Sequence, residues 1–174
     1  MSERALKMLS TALEMEEKGY KFYHKFVAEC GVGVAGKIFK LLMEDELVHI
    51  ERIKSIFDFL NGGEGWSDAW KLQAEAHENL GQVFRDLARE HGANISCSTS
   101  DLEALNIGLD FENKAVQFYK EHLQSAQDEL EREFLEAMIH EERRHYDLLD
   151  DMKFYLTDPD HWFMEKSRSG LDGA

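Results

Sequence analysis

The sequence is poor in the residues that would build anything but helices. It has one proline, Pro159, among 174 residues, and Val, Ile and Thr are few beside Leu, Glu, Lys, Ala and Met, so an all-α fold is expected. Cys30 and Cys97 are the only thiols and neither belongs to a Cys-x-x-Cys pair, which excludes a thiolate iron or zinc site. They are read as packing or idle thiols, with a redox-formed disulfide as the alternative if both reach one end of the fold. Long apolar runs are missing: nothing approaches about 18 consecutive apolar residues. The first stretch, MSERALKMLSTALEMEE, carries acids where a secretory leader needs an apolar core. Positive charge is scarce as well, with 20 basic against 35 acidic residues and a formal net charge of -15. Such a balance repels phosphate backbones and anionic lipid heads alike, so no nucleic-acid or membrane partner is expected and the setting reads as cytoplasmic.

What is present is a set of long amphipathic helices. The patterning predicts helices over 3–29, 36–60, 101–124 and 128–156 within one domain, 1–156. Ser2 is the expected first N-cap, and Gly31, Gly33 and Gly36 supply the first turn. The second helix stops at Asn61-Gly62-Gly63. A crossover with its own helix over 67–90 follows, then a polar loop. Ser100 and Glu103 form the expected capping box of the third main helix, and Asp128 with Glu131 starts the fourth. The tail, 157–174, carries Trp162 and Phe163 as candidates to dock on the bundle.

Each main helix carries a stripe with alternating steps of three and four, which keeps one face toward its partners. The stripes read Leu6, Leu9, Leu13, Glu16, Tyr20, Tyr23, Val27; then Phe39, Leu42, Glu46, His49, Ile53, Ile56, Leu60. The third and fourth read Leu102, Leu105, Leu109, Glu112, Val116, Tyr119, Leu123; and Leu135, Met138, Glu142, His145, Leu149, Met152, Leu156. All four are interrupted at mid-length by acids or histidine. An unpartnered carboxylate in a core costs several kcal/mol, and these stripes contain no Lys or Arg. Four carboxylates carry about -4 and two neutral imidazoles carry nothing, so two divalent cations would balance the set.

Spacing brings these groups together. Glu16 and Glu46 are 30 residues apart about Gly31, and Glu112 and Glu142 are 30 apart about Gln127. In an antiparallel hairpin each pair faces across at one level, about 22 Å from its turn. The hairpins also repeat at an offset of 96: Leu13 with Leu109, Glu16 with Glu112, Lys18 with Lys114, Phe22 with Phe118, Tyr23 with Tyr119, Glu46 with Glu142, His49 with His145. Internal duplication explains this best. Glu-x-x-His alone is a weak motif; two copies, each with a Glu 30 residues upstream and a Phe-Tyr pair after that Glu, are a strong one.

A Glu from each of two helices, with Glu-x-x-His from each of the other two, is the carboxylate pattern of di-iron ferritin-like bundles. With EEKGYKFY from Glu16, ELVH from Glu46, ENKAVQFY from Glu112 and ERRH from Glu142, the chain resembles the rubrerythrin branch of that superfamily over about 1–156. The resemblance implies a ferritin-like four-helix bundle of two hairpins joined by a long crossover. It implies two iron ions, oxo- or hydroxo-bridged when oxidised, with manganese as the substitute metal. Glu46 and Glu142 would bridge them, Glu16 with His49 and Glu112 with His145 completing one metal each. Tyr23 and Tyr119 would stand behind the carboxylates, the alternative being plain core tyrosines. Asp45 and Glu141 are candidates to accept a proton from the ligating imidazoles, the alternative being surface acids.

Two departures from the resemblance matter. Rubrerythrins proper carry a four-cysteine rubredoxin domain, which two cysteines cannot supply, so electrons are expected from a separate donor protein. They also place a further Glu where this sequence has Ala115, mirrored by Gly19. The leading expectation is a di-iron oxidoreductase that reduces hydrogen peroxide or oxygen to water, as a homodimer. A ferroxidase or iron-handling protein and a metal-stabilised helical interaction module are the rivals.

Overall fold

The computed structural model describes residues 2–30, 33–72, 77, 79–92 and 99–168. Four long helices, α1 (Ser2–Cys30), α2 (Val34–Asn61), α4 (Thr99–Leu123) and α5 (Glu129–Thr157), form the bundle; α3 (Leu80–His91) and α6 (Pro159–Arg168) are accessory. No strand occurs among the described residues, and none of their helices is long and apolar enough to cross a membrane. α1 pairs with α2 and α4 with α5, the two hairpins expected from the repeat. Gly31 and Cys97 lie outside the described residues, and with them the expected first turn and the alternative of a Cys30–Cys97 bridge.

The crossover departs from the single helix expected over 67–90. Among the described residues, Ala69–Leu72 is one 3-10 turn that buries Trp70, His77 is not helical and a regular helix runs from Leu80 to His91; 73–76 and 78 lie outside the described residues. The reason is tertiary. Trp70 packs edge-on against Phe134 of α5 at 5.7 Å, and His77 turns its backbone N–H and ring to Asp45 of α2. One anchor ties the crossover to α5 and the other to α2, and α3 contacts both of these helices. It ends on Gly92, whose φ of 66° is the left-handed conformation that glycine accepts most readily.

The helix starts also differ in detail. α4 is already helical at Thr99, so Ser100 lies inside the helix rather than at the predicted cap position. Asp128 does cap α5, accepting from the backbone of Leu130 and Glu131. Glu131 does not reach back to the cap. Its carboxylate is buried and bonds Arg4 of α1 and the N–H of Gln127, tying the two hairpins together at that end.

The stripes of α2, α4 and α5 are buried as predicted, with only Leu102, Leu123 and Leu156 half-buried at helix ends. In α1 the buried face is rotated: Ala5, Met8, Leu9, Ala12, Glu16, Gly19 and Tyr23 are inside, while Leu6, Leu13, Tyr20 and Val27 sit at its half-buried edge. α1 contacts both α2 and α4, and small residues let it approach them closely. Two apolar cores result, on either side of a polar layer. One gathers Phe39, Leu42, Leu105 and Leu149 with Phe84, Tyr155 and Trp162 beneath α3 and α6. The other gathers Met8, Leu9, Ile53, Ile56, Phe134 and Met138. The described part of the tail, α6, is therefore a cap on the bundle, with Trp162 only 1% exposed and donating its indole N–H to Asp151 at 2.9 Å; residues 169–174 lie outside the described residues.

Candidate metal centre

Between the two cores, a helical step of three places Glu46 and His49 one above the other on α2, and the same step places Glu142 and His145 on α5. α1 and α4 add Glu16 and Glu112. None of the six is more than 3% exposed. Donor atoms of Glu46, Glu112, Glu142 and His145 lie within 4.8 Å of one another, and those of Glu16, Glu46 and His49 do the same.

The two imidazoles stack with ring centres 5.5 Å apart, and two carboxylates span them. Glu142 sets Oε1 3.1 Å from His49 Nδ1 and Oε2 3.3 Å from His145 Nδ1. Glu46 does so more loosely, at 3.8 and 3.9 Å. The other two each stand at one end: Glu16 Oε2 is 3.2 Å from His49 Nδ1, and Glu112 Oε2 is 3.8 Å from His145 Nδ1. All six sequence-predicted residues thus meet.

The groups behind them are exchanged between hairpins. Tyr23 of α1 donates its hydroxyl to Glu112 of α4, and Tyr119 of α4 donates to Glu16 of α1. His49 Nε2 of α2 donates to Glu141 of α5 at 2.8 Å, and His145 Nε2 donates to Asp45 of α2 at 3.2 Å. Asp45 is wholly buried and in contact with His145, as expected of the acceptor and not of the surface acid that was its alternative. With Nε2–H committed outward, each Nδ1 is the ring nitrogen that faces the cluster and that a metal would take once its proton has left.

Two residues of this surround were not anticipated. Arg52, one turn beyond His49 and 4% exposed, bonds both oxygens of Glu141 from Nη1 at 2.9 and 2.8 Å. His77, from the crossover, donates its backbone N–H to Asp45 at 3.0 Å and places its ring Nδ1 2.6 Å away. Arg52 had one sequence signal: the 96-residue repeat fails there, since its counterpart is Leu148. For His77 no local pattern existed, because its partner is 32 residues away.

The protein's own charges are badly matched. Burial first, and then the neighbouring carboxylates, push Glu46 well above the usual carboxyl range and Glu112 up to about 8. Burial also opposes charge on Glu142, yet the positive charges of His49 and His145 beside it hold its pKa below the ordinary value. For His49 and His145 burial disfavours the imidazolium, but the surrounding carboxylates outweigh it and raise both. Tyr23 and Tyr119 are raised by burial and then by the charges facing them, so they stay phenols and remain hydrogen-bond donors. Among the described residues, both oxygens of Glu142 and Nδ1 of His145 are buried with no hydrogen-bond partner. Carboxylate oxygens and ring nitrogens that converge this closely, three of them without a partner, are what a cation satisfies. Four carboxylates and two imidazoles fit two divalent ions of oxygen-preferring, imidazole-tolerant type, and this cluster can hold metal.

Comparison with known proteins agrees with that chemistry. A family model described as rubrerythrin matches residues 7–153, which contain all six residues. No curated protein and no solved structure shows a match.

Proposed function

The chain belongs to the rubrerythrin family, and from that premise we propose that the six buried residues hold two iron ions and that the protein reduces hydrogen peroxide, or oxygen, to water. One observation carries the reading: Glu46 and Glu142 each direct one oxygen toward each imidazole, the disposition of bridging ligands between two metals. Glu16 with His49 and Glu112 with His145 would complete one metal each. Two Fe(II) ions held there would supply the two electrons that an O–O bond needs to break.

The chain's own residues set the conditions. Asp45 and Glu141 hold Nε2–H of the imidazoles and so keep Nδ1 available as a donor atom. Tyr23 and Tyr119 hold one oxygen of Glu112 and Glu16, leaving the other to face inward. The apolar layers above and below exclude bulk water and strengthen every charge interaction between them. Electrons come from a separate donor protein, in a cytoplasmic setting, to a homodimer.

Stopped-flow mixing of reduced, iron-loaded protein with hydrogen peroxide tests the reaction. Oxidation of both irons should far outpace that of free Fe(II), and repeated cycles with reductant should leave the iron bound. Oxidation no faster than free Fe(II) sinks the peroxidase reading, and release of iron after each cycle would favour a ferroxidase instead.

Metal binding has its own test at Asp45, which is expected to act on one half of the site. Asp45→Asn presents an amide that no longer demands a proton from His145 Nε2. Calorimetric titration with Mn(II) should show one of two binding steps weakened by about 10- to 100-fold, with the other and the helix content retained. Two unaltered steps would mean that Asp45 does not orient His145.

A further inference from the structure

A cavity of about 220 Å³ opens between α1 and α4, directly against the carboxylate cluster. Its floor includes Glu46 and Glu142, and its walls are Met15, Gly19, Phe111 and Ala115. Lys18 and Lys114, both exposed, stand at its solvent side.

Two small residues make this space. An ideal Cβ on Gly19 would lie 3.2 Å from the Glu46 carboxyl carbon and 3.3 Å from each of its oxygens, so any side chain there presses on the carboxylate. Its repeat mate 96 residues on is Ala115, which extends one carbon. The two helices are therefore pared back at the same level, over the Glu142 oxygens that have no hydrogen-bond partner.

The volume exceeds what the smallest peroxide requires. A water claims about 30 Å³, and an apolar protein cavity of about 150 Å³ already holds benzene. The lining suits such a group: a thioether, an aromatic ring and a methyl stand beside the carboxylates of Glu16, Glu46, Glu112 and Glu142. Resting on the peroxide-reducing reading above, we infer that this cavity is a substrate pocket for small organic hydroperoxides. The hydrocarbon part lies against Met15 and Phe111, and the O–O group points to Glu46 and Glu142.

The reaction balances as ROOH plus two electrons and two protons giving ROH and water. The O–O bond breaks, the distal oxygen leaves as water, and the proximal oxygen stays on carbon as the alcohol. The electrons come from the same external donor protein, one carrier class serving both peroxides.

The pocket is tested by binding and by turnover. Saturation-transfer NMR on the iron-loaded protein should detect 2-phenyl-2-propanol, the alcohol product of cumyl hydroperoxide. Turnover of cumyl hydroperoxide should yield that alcohol one for one. Ala115→Leu fills the cavity from α4, and Met15→Phe narrows it from a half-exposed position that costs the core little. Either variant should abolish the alcohol signal and lower the kcat/KM ratio of cumyl hydroperoxide to hydrogen peroxide at least tenfold. If the alcohol does not bind, or binds the filled variants equally, while hydrogen peroxide is still reduced, the pocket inference is overturned and the peroxidase reading stands. If neither peroxide is reduced although the alcohol binds, the reaction reading fails and takes the hydroperoxide assignment with it.

Discussion

Replacing both His49 and His145 with leucine is expected to drop the metal content from two ions per chain to below about 0.2, and peroxide turnover with it. Each imidazole is its metal's only nitrogen donor in the proposed set, and each Nδ1 lies within 4 Å of two spanning carboxylates. Leucine is close in volume to histidine, so the polar layer loses its donors without a large cavity. Electrostatics still change, since four buried carboxylates then have no imidazolium beside them. The variant should accordingly fold best near pH 6, where Glu46 and Glu112 keep their protons, and circular dichroism there separates metal loss from unfolding. Elemental analysis of the helical variant decides the matter. Two ions still held tightly would remove the basis of the proposed site.

The second large effect is a dependence on pH that metal should erase. Glu112 has a pKa of about 8 in the fold against an ordinary 4.5. The fold thus prefers its neutral form, and stability present below pH 4.5 is lost as pH rises through about 8. Glu46, His49 and His145 are also raised, so their contributions fall in the same direction. Asp45, Glu141 and Glu142 are shifted down, and their window lies on the acid side.

Between pH 6 and 9 the Glu112 shift alone amounts to about 3 kcal/mol. That is about 6 to 12 °C in Tm for a chain of this length. Protein stripped with a chelator should show this fall on going from pH 6 to 9. Metal-loaded protein should hold its Tm over the same range and release protons on loading, because cations replace protons as the counter-charge. A stripped protein whose Tm is flat or rises toward pH 9 would contradict the charge balance described for the cluster.

Much of the site was legible because helical geometry is local. A step of three or four residues keeps a side chain on one face whatever the neighbours do, so a Glu or His within a leucine stripe must point inward. Thirty residues about a turn then fix its level. These two regularities suffice to bring Glu16, Glu46, His49, Glu112, Glu142 and His145 together from the order of residues alone. α1 shows where the regularity weakens: Ala5, Met8 and Ala12 are inside while Leu13 and Tyr20 stand at the edge. Side-chain size alone did not reveal which sector of α1 faces two neighbours.

The amino-acid order by itself thus determined an all-helical bundle, its two-hairpin repeat and the level at which six ionisable side chains converge. Tertiary structure decided what stands behind them: Tyr23 serves Glu112, Tyr119 serves Glu16, Asp45 serves His145 and Glu141 serves His49. It also decided that Arg52 backs one half and His77 the other, and that Gly19 and Ala115 open a cavity over the cluster. These pairings depend on the rotation of one hairpin against the other and on the path of the crossover. Helical periodicity encodes which way a residue faces, but carries no information about which helix it will meet.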